Sequence, residues 1–383
     1  MNIIKITFAF FILSYLAYSQ PVPGAYDTKE YLSLLKNKKV GLIINQTSVI
    51  GKVQLLDTLL SLKINVVKVF APEHGFRGDA DAGEKVDNSI DKKTGIPIIS
   101  LYGKNKKPSK EQLIDLDVLV FDIQDVGCRF YTYISTLHYV MESCSESKKF
   151  LIVLDRPNPN GMYIDGPVLD TSLRSFVGMH PVPIVYGMTI GEYATMIEGE
   201  RWIKSVSGYQ LSVIKNKKYT HSSEYSLPVK PSPNLPNDLS IALYPSLCLF
   251  EGTNISVARG TQFPFQAIGF PDSSYGDFTF TPESIPGMAK DPMHQGKKCF
   301  GIDLRQNGKE HMFTINYVIE FYKKSGDKSA YFNNFFKKLI GNELVMKQIQ
   351  EGQSDLVIRR FWENDLIKFK KIRKKYLLYT DFE

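Results

Sequence analysis

Residues 39–154 alternate between short apolar runs and more polar segments. The apolar runs cover residues 39–44, 66–70, 96–101, 118–121 and 151–154. Continuous apolar runs of this length are typical of strands buried on both faces of a parallel sheet. Between them, segments 52–61, 109–116 and 132–147 have the signals expected of helices, such as one apolar face in the third. The pattern predicts an α/β fold built on a parallel sheet.

Polar residues follow each of these runs directly. They include Asn45, Glu73, His74, Tyr102, Asp122, Gln124, Asp125, Asp155, Arg156, Asn158 and Asn160. Ligands of open parallel sheets bind outside the carboxyl ends of the strands, where these clusters would meet. A long polar segment, residues 76–95, follows the second run, and such long loops in compact α/β units are usually functional. We therefore predict an active site at this edge of the sheet.

The chain becomes less regular after residue 161. Residues 181–187 are predicted to form a short strand, and Thr189 with Glu192 forms a capping box for a helix that reaches residue 202. The proline-rich segment 228–236 is interpreted as a structured loop. An apolar run over residues 239–250 then leads into a sixth polar cluster, which contains Glu251, Asn254 and Arg259.

From about residue 272 the sequence is basic and rich in helical patterns, with helices predicted at residues 317–324 and 330–339. We place a domain boundary near residue 270, giving domains at residues 20–270 and 271–383. The net charge of +7 comes from 47 basic and 40 acidic residues, and the excess is concentrated at residues 368–375. This run is interpreted as a solvated helix face rather than a polyanion-binding patch, so no nucleic acid partner is expected.

Residues 1–19 have the features of a secretory signal peptide. Lys5 precedes an apolar core at residues 6–16, and Ala17 and Ser19 are the small residues that a signal peptidase reads. The segment is too short for a stable membrane span, although an uncleaved anchor is the alternative. We expect an exported protein, periplasmic or secreted, with no stable membrane span after cleavage.

Several classes of site are disfavoured by the motifs. Neither G-x-G-x-x-G nor the ATP-binding phosphate loop occurs, and the serine hydrolase elbow G-x-S-x-G is absent as well. Glu73, His74, Asp122 and Asp125 lack the spacing of a metal site. The four cysteines, at positions 128, 144, 248 and 299, are too scattered for a disulfide framework. No cofactor or metal is expected.

The chemistry that remains is that of carboxylates beside arginines, asparagines and tyrosines. Glycoside cleavage needs a carboxylic acid to protonate the leaving oxygen, and usually a second carboxylate. Arginine and asparagine suit the carboxylate and hydroxyl groups of a sugar substrate. Each such residue could instead be a helix cap or part of a structural salt bridge. The residues concerned are Glu73, Asp122, Asp125, Asp155 and Glu251, with Arg77, Arg129, Arg156 and Arg259 near them.

Six ordered motifs resemble the exo-β-N-acetylmuramidase family of bacterial glycoside hydrolases. They are APEHGFRG at residues 71–78, DIQDVGCRFYTY at 122–133, DRPNPNG at 155–161, SPNLP at 232–236, LFEGTN at 249–254 and RGT at 259–261, and KKYLLY at 374–379 also matches. The resemblance implies release of N-acetylmuramic acid from the non-reducing end of peptidoglycan fragments. It also implies a Rossmann-like domain with a smaller C-terminal α+β domain, and an active site in the cleft between them.

The resemblance makes Glu73 the expected general acid, with His74 beside it and Asp122 and Asp125 as further catalytic residues. Arg129 is expected to bind the lactyl carboxylate of muramic acid with two parallel hydrogen bonds. The alternatives are that Arg129 pairs with Asp125 or Asp155, and that Arg77 or Arg259 binds the carboxylate. The expected substrate-binding residues are Asn45, Arg77, Gln124, Arg129, Tyr131, Asp155, Arg156, Asn158, Asn160, Glu251, Asn254 and Arg259.

Two competing functions remain open at this level. Two α/β lobes around a cleft also describe exported sugar-binding proteins without catalytic activity. Another peptidoglycan enzyme, such as an amidase or a deacetylase, is the third possibility, although the lack of metal-ligand spacing disfavours it.

Overall fold

The central element is a seven-stranded sheet in the order β5-β6-β4-β1-β7-β8-β9. The computed structural model describes residues 20–72, 76, 88–103, 105–206, 208–306 and 312–383. Neighbouring strands pair in parallel, except that β5 is antiparallel to β6. The strands are β1 (Val40–Ile44), β4 (Val66–Ala71), β5 (Ser89–Ile90), β6 (Pro97–Ser100), β7 (Val118–Asp122), β8 (Phe150–Leu154) and β9 (Gln210–Ile214), and β2 (Val49–Ile50) and β3 (Val53–Gln54) form a separate hairpin.

Helices cover both faces of this sheet. They are α1 (Thr28–Leu35), α2 (Leu55–Ser61), α3 (Lys110–Leu113), α4 (Tyr133–Glu146) and α5 (Ile190–Gly199). Successive residues of a strand point to opposite faces, so Leu42 packs in the apolar layer that contains α1 and α2, whereas Ile43 packs in the layer that contains α4 and α5. The prediction of an α/β fold with a buried parallel sheet is confirmed.

Five of the seven strands were predicted from apolar runs, and their ends agree with the sequence pattern within one residue. The predicted strand at residues 181–187 is wrong, because Val185 makes only isolated bridges to Cys128 and Asp165 there. Pro181 and Pro183 lack the N–H groups that a continuous ladder needs. The capping box at Thr189 is present as predicted, and the apolar run after residue 238 is helical.

The C-terminal part combines helices with a small antiparallel sheet in the order β10-β12-β11. Strands from both sides of residue 270 form this sheet. They are β10 (Ala267–Phe270), β11 (Phe278–Phe280) and β12 (Cys299–Asp303). The helices are α6 (Asp238–Leu247), α7 (Asn316–Lys324), α8 (Asn334–Ile340), α9 (Glu343–Gln350) and α10 (Asp355–Arg373).

The four cysteine thiols are buried and free. Among the described residues, no helix is both long and apolar enough to cross a bilayer. The predicted signal peptide lies outside the described residues.

Candidate active site

The polar clusters after β1 and β7 contact each other at the carboxyl edge of the sheet. Asn45 Nδ2 donates a 2.8 Å hydrogen bond to the hydroxyl of Tyr133, the first residue of α4. The main-chain N–H of Gln124 donates to Thr47 Oγ1 at 3.0 Å. Because the strands end side by side, residues far apart in the sequence meet here, as the pattern predicted.

Asp122 and Arg156 form a buried, bidentate ion pair in this region. Arg156 Nε and Nη2 donate to the two carboxylate oxygens at 2.5 and 2.9 Å. Burial raises the pKa of Asp122, and the adjacent guanidinium opposes that shift. Since the pair joins the ends of β7 and β8 and has almost no exposed surface, both residues hold strand ends together. The expected roles of Asp122 in catalysis and of Arg156 in substrate binding gain no support from this arrangement.

Asp125 is also enclosed. One carboxylate oxygen, Oδ2, accepts from the main-chain N–H of Gly127 at 2.7 Å and from the hydroxyl of Tyr186. The other oxygen has no partner among the described residues. Burial raises the pKa of Asp125 to about 7. The group therefore holds a proton close to neutral pH, but it contacts the turn that leads to the cavity rather than the cavity itself.

Asp155 is the centre of a second buried network. The main-chain N–H groups of Arg156 and Gly191 donate to Oδ1, and the side chains of Thr189, Asn216 and Tyr379 donate to Oδ2. Burial raises the pKa of Asp155 to about 7, while these donors favour the ionised form. A carboxylate with five donors and no exposed surface binds other segments of the chain. The expectation that Asp155 binds substrate gains no support from these contacts.

Three amides of the predicted site hold loops in place. Gln124 Nε2 donates to the carbonyls of Asp125 and Pro157 at 2.8 and 2.7 Å. Asn158 Nδ2 donates to Met188 O at 2.8 Å. The amide of Asn160 donates to two further carbonyls, those of Val126 and Ile241. All three residues are buried, so they shape the edge of the site from behind.

Arg129 lies in the interior and not in the cleft. Each of its terminal nitrogens donates two hydrogen bonds to main-chain carbonyls. The acceptors are Pro167, Val182, Leu339 and Ile340, at 2.7, 2.9, 2.8 and 2.9 Å. The side chain has no exposed surface, and its partners are carbonyls rather than Asp125 or Asp155. These contacts give no support to the expectation that Arg129 binds a substrate carboxylate, and they assign its guanidinium to the packing of the chain.

The candidate site is a cavity of about 580 Å³ between the sheet edge and the C-terminal helices. Tyr131, Glu251 and Arg259 are the predicted residues that line it. The other lining residues are Tyr102, Gly103, Lys106, Phe130, Thr132, Tyr133, Ser175, Phe176, Val177, Ser232, Asn234, Leu235, Tyr244, Phe265, Phe335 and Lys338. The volume suits a sugar-sized or larger ligand.

Glu251 and Arg259 form an ion pair on the cavity wall. Arg259 Nε and Nη2 lie 2.7 and 2.6 Å from Glu251 Oε1. Each side chain is about one quarter exposed, at 26% and 25%, and the guanidinium lies 4.9 Å from the centre of the Phe265 ring. The pair offers a ligand both hydrogen-bond acceptors and donors.

Aromatic rings form much of the remaining wall. Tyr131 meets the rings of Tyr133 and Tyr244 edge-on at 5.0 and 5.8 Å, and Tyr244 meets Phe265 at 5.0 Å. The Tyr131 hydroxyl donates to Pro231 O at 2.7 Å, which anchors the proline-rich loop to the site. Rings with polar edges are suited to sugars, which have both apolar faces and hydroxyl groups.

Sequence reasoning missed the part of the cavity that comes from distant segments. Phe335 and Lys338 lie on α8, about 200 residues after the sheet edge, and no motif marks them. Ser232 and Asn234 also line the cavity. They belong to the SPNLP motif, so the sequence marked this segment, but neither residue was among the predicted site residues. Asn254 is not among the lining residues, and its main-chain carbonyl accepts from His294.

Glu73, His74 and Arg77 lie outside the described residues. β4 ends at Ala71, two positions before Glu73 in the sequence. Among the described residues, no three side chains of His, Cys, Asp or Glu come together in a group suited to a metal ion.

Sequence comparisons connect this architecture to one family. Profiles described as exo-β-N-acetylmuramidase NamZ, N-terminal and C-terminal, match residues 40–239 and 242–379. The peptidoglycan β-N-acetylmuramidase NamZ of Bacillus subtilis (strain 168) is 40% identical over 376 residues, covering 91% of this chain and 89% of that protein.

Two crystal structures of DUF1343 family proteins from Bacteroides fragilis NCTC 9343 have the same fold. One is 45% identical with a TM-score of 0.88, and the alignment covers 95% of this chain and all of that one (100%). The other is 29% identical with a TM-score of 0.80, covering 94% of this chain and 99% of that one.

Proposed function

Because this chain belongs to the exo-β-N-acetylmuramidase NamZ family, we propose that it releases N-acetylmuramic acid from the non-reducing end of peptidoglycan fragments. The relative of named activity aligns along nearly the whole of both chains, so the likeness includes the sheet edge and the C-terminal helices together. Its substrates would be muramyl saccharides.

The main structural support is the composition of the cavity wall. It combines the carboxylate–guanidinium pair of Glu251 and Arg259 with the rings of Tyr131 and Tyr244. Such a wall can hydrogen-bond sugar hydroxyls in both directions and pack against the apolar face of a pyranose ring. No dinucleotide or phosphate loop competes with this interpretation in the sequence.

Glu73 is the residue that we assign as general acid. Protonation of the leaving oxygen needs a carboxylic acid that carries a proton. Within the described part of the chain, Glu251 is the carboxylate that lines the cavity, and its Oε1 is already bound by Nε and Nη2 of Arg259. We therefore assign the proton donor to another position. Glu73 follows the end of β4, a central strand of the sheet, and His74 beside it would orient its carboxyl group.

Substitution of Glu73 by Gln tests this assignment. The amide keeps the size of the side chain but cannot donate a proton in the same way, so hydrolysis of an aryl β-N-acetylmuramide should fall by about 10²-fold or more. Glu320→Gln, an exposed change on α7, is the matched control and should retain the wild-type rate. A Glu73→Gln variant with near wild-type kcat/KM would contradict the assignment.

We also propose that the protein acts outside the cytoplasm, in the periplasm or as a secreted protein. The support is the signal-like composition of residues 1–19. Fractionation of expressing cells, with N-terminal sequencing of the product, should find the protein exported and starting near residue 20. A cytoplasmic protein that retains residue 1 would contradict this part of the proposal.

A further inference from the structure

Two lysines that line the cavity differ from their neighbours in the sequence. Lys107 pairs with Glu142 and Glu146, both at 2.9 Å, and Lys337 pairs with Glu343 at 3.0 Å. The lysines that face the cavity are Lys106 and Lys338. Over the described ranges of the chain, neither of these has a carboxylate within ion-pair distance. Ion pairs therefore neutralise Lys107 and Lys337. Lys106 and Lys338, which line the cavity, have no such partner in the described structure.

Both lysines lie against the same short turn, residues 175–178. Lys106 Nζ is 4.0 Å from the centre of the Phe176 ring. On the other side, a Cβ added to Gly178 would lie 3.8 Å from the main-chain oxygen of Lys338. The hydroxyl of Ser175, which also lines the cavity, has no hydrogen-bond partner in the described structure. The Lys106 ammonium group and the Ser175 hydroxyl therefore border this turn. Lys338, whose main chain lies against the same turn, lines the cavity with them.

Charge is distributed unevenly over the cavity wall. At one end Arg259 is paired with Glu251, whereas no carboxylate of the described residues forms an ion pair with Lys106 or Lys338. A partly enclosed site strengthens the attraction between these cations and an anionic ligand relative to bulk water. A neutral sugar gives no reason for such an arrangement, but a sugar that carries a carboxylate does.

We propose that Lys106, Lys338 and Ser175 form a subsite for a carboxylate of the substrate, and that this subsite distinguishes muramyl from glucosaminyl sugars. The ligand identity rests on the proposed function. The carboxylate is either that of the lactyl ether or that of a peptide attached to it, and both would meet the same cations. Arg129 acts here as a positioning residue, because it binds the carbonyls of Leu339 and Ile340 directly after Lys338.

Binding calorimetry with N-acetylmuramic acid and with its lactyl carboxamide tests the subsite independently of catalysis. The wild-type protein should bind the acid about 10-fold or more tightly than the amide, because hydrogen bonds to a charged group are stronger than those to a neutral one. Lys106→Met and Lys338→Met should bring the ratio of the two Kd values towards one. Lys107→Met and Lys337→Met are the matched controls and should leave the ratio as in the wild type.

A muramyl dipeptide whose terminal carboxylate is free or amidated identifies the source of the charge. If the lactyl carboxylate is the ligand, the lysine substitutions change the ratio of the Kd values for N-acetylmuramic acid and its lactyl carboxamide. If a peptide carboxylate is the ligand, they change only the ratio of the Kd values for the free and the amidated dipeptide. Either result supports the subsite, whereas wild-type ratios in Lys106→Met and Lys338→Met for both pairs overturn it.

The outcome for the subsite is separate from that for the proposed function. A protein that binds with a lysine-dependent charge preference but hydrolyses no muramide would retain the subsite and contradict the glycosidase activity. A protein that hydrolyses muramides while every lysine variant keeps the wild-type acid-to-amide ratio would retain the activity and contradict the subsite.

Discussion

Arg129 Nη2 donates a 2.8 Å hydrogen bond to the main-chain carbonyl of Leu339, and this bond joins the loop after β7 to the last turn of α8. The backbone at Gly341 makes room for it: φ is +71°, and a Cβ there would lie 2.5 Å from the same nitrogen. The positive φ and the short distance to Arg129 Nη2 both disfavour a residue with a side chain at this position. The arginine thus fixes the helix that carries Lys338 to the sheet domain.

Replacing Arg129 by Met should destabilise the protein strongly. Four buried carbonyls would each lose a donor. Val182 O would still accept from the main-chain N–H of Leu169, whereas each carbonyl left unsatisfied costs about 1–3 kcal/mol. Arg129→Lys should also be destabilising, because an ammonium group cannot replace the planar fork. Thermal unfolding of both variants is the measurement. Arg305→Lys, which alters an exposed pair with Asp303, is the control and should cost less than about 1 kcal/mol. Unfolding temperatures equal to wild type would contradict the structural role of Arg129.

The buried pair of Asp122 and Arg156 should behave as a unit. Removing one partner leaves the other charged and desolvated, at a cost of about 3–5 kcal/mol. We expect Asp122→Asn and Arg156→Met each to lower the free energy of unfolding by that order, and the double variant to lose much less than the two effects combined. A double-mutant cycle from denaturant unfolding measures this coupling. Additive effects would show that the two side chains do not interact.

The stability of the protein should respond to the titration of Asp125. Its pKa in the folded protein is raised to about 7 by burial, whereas in the unfolded chain it is about 3.9. The stabilisation from the bound proton is therefore complete below about pH 4 and is lost as the pH rises through about 7.

Asp125→Asn removes this titration while keeping an acceptor for Gly127 and Tyr186. The free energy of unfolding of wild type relative to this variant should fall by about 2 kcal/mol or more between pH 5 and pH 8. Denaturant unfolding of both proteins at the two pH values tests it. A difference that stays constant with pH would mean that Asp125 is ionised throughout.

The C-terminal segment should depend on Tyr379 for its attachment. The Tyr379 hydroxyl donates to Asp155 at 2.5 Å and accepts from the main-chain N–H of Asn216 at 2.8 Å. Tyr379→Phe removes both bonds in a buried network and should cost about 1–3 kcal/mol. Tyr376→Phe, which removes a bond to Glu200 nearer the surface, is the matched control with a smaller expected loss. Comparable unfolding temperatures for the two variants would contradict the claim that the buried hydrogen-bond network around Asp155 attaches the C-terminal segment.

The five strands of the parallel sheet that begin at residues 40, 66, 97, 118 and 150 were predictable. Each coincides with a short continuous apolar run, which is typical of a strand buried on both faces. β9 was missed since Gln210–Ile214 is only partly buried and mixes polar with apolar residues. Residues 181–187 were predicted as a strand but form a loop with isolated bridges at Val185. The prediction failed because a buried loop can be as apolar as a strand.

For the site, the sequence predicted where polar residues would gather but not where their side chains would point. Asp122, Asp155 and Arg129 follow strands as expected, yet their partners are Arg156, Tyr379 and the end of α8. Such partners depend on tertiary contacts across up to 224 positions. Lys338 was missed for the same reason, since only the packing of α8 brings it to the cavity.

Incubation of the purified protein with the disaccharide N-acetylmuramyl-β-1,4-N-acetylglucosamine tests the central claim most directly. Mass spectrometry should show free N-acetylmuramic acid and N-acetylglucosamine accumulating in equal amounts, and Glu73→Gln should suppress both. A longer fragment with muramic acid at its non-reducing end should lose one muramic acid and then stop, because its new end is an N-acetylglucosamine. Binding of the disaccharide without any cleavage would contradict the account and leave a sugar-binding protein, and release of acetate instead of a sugar would indicate a deacetylase.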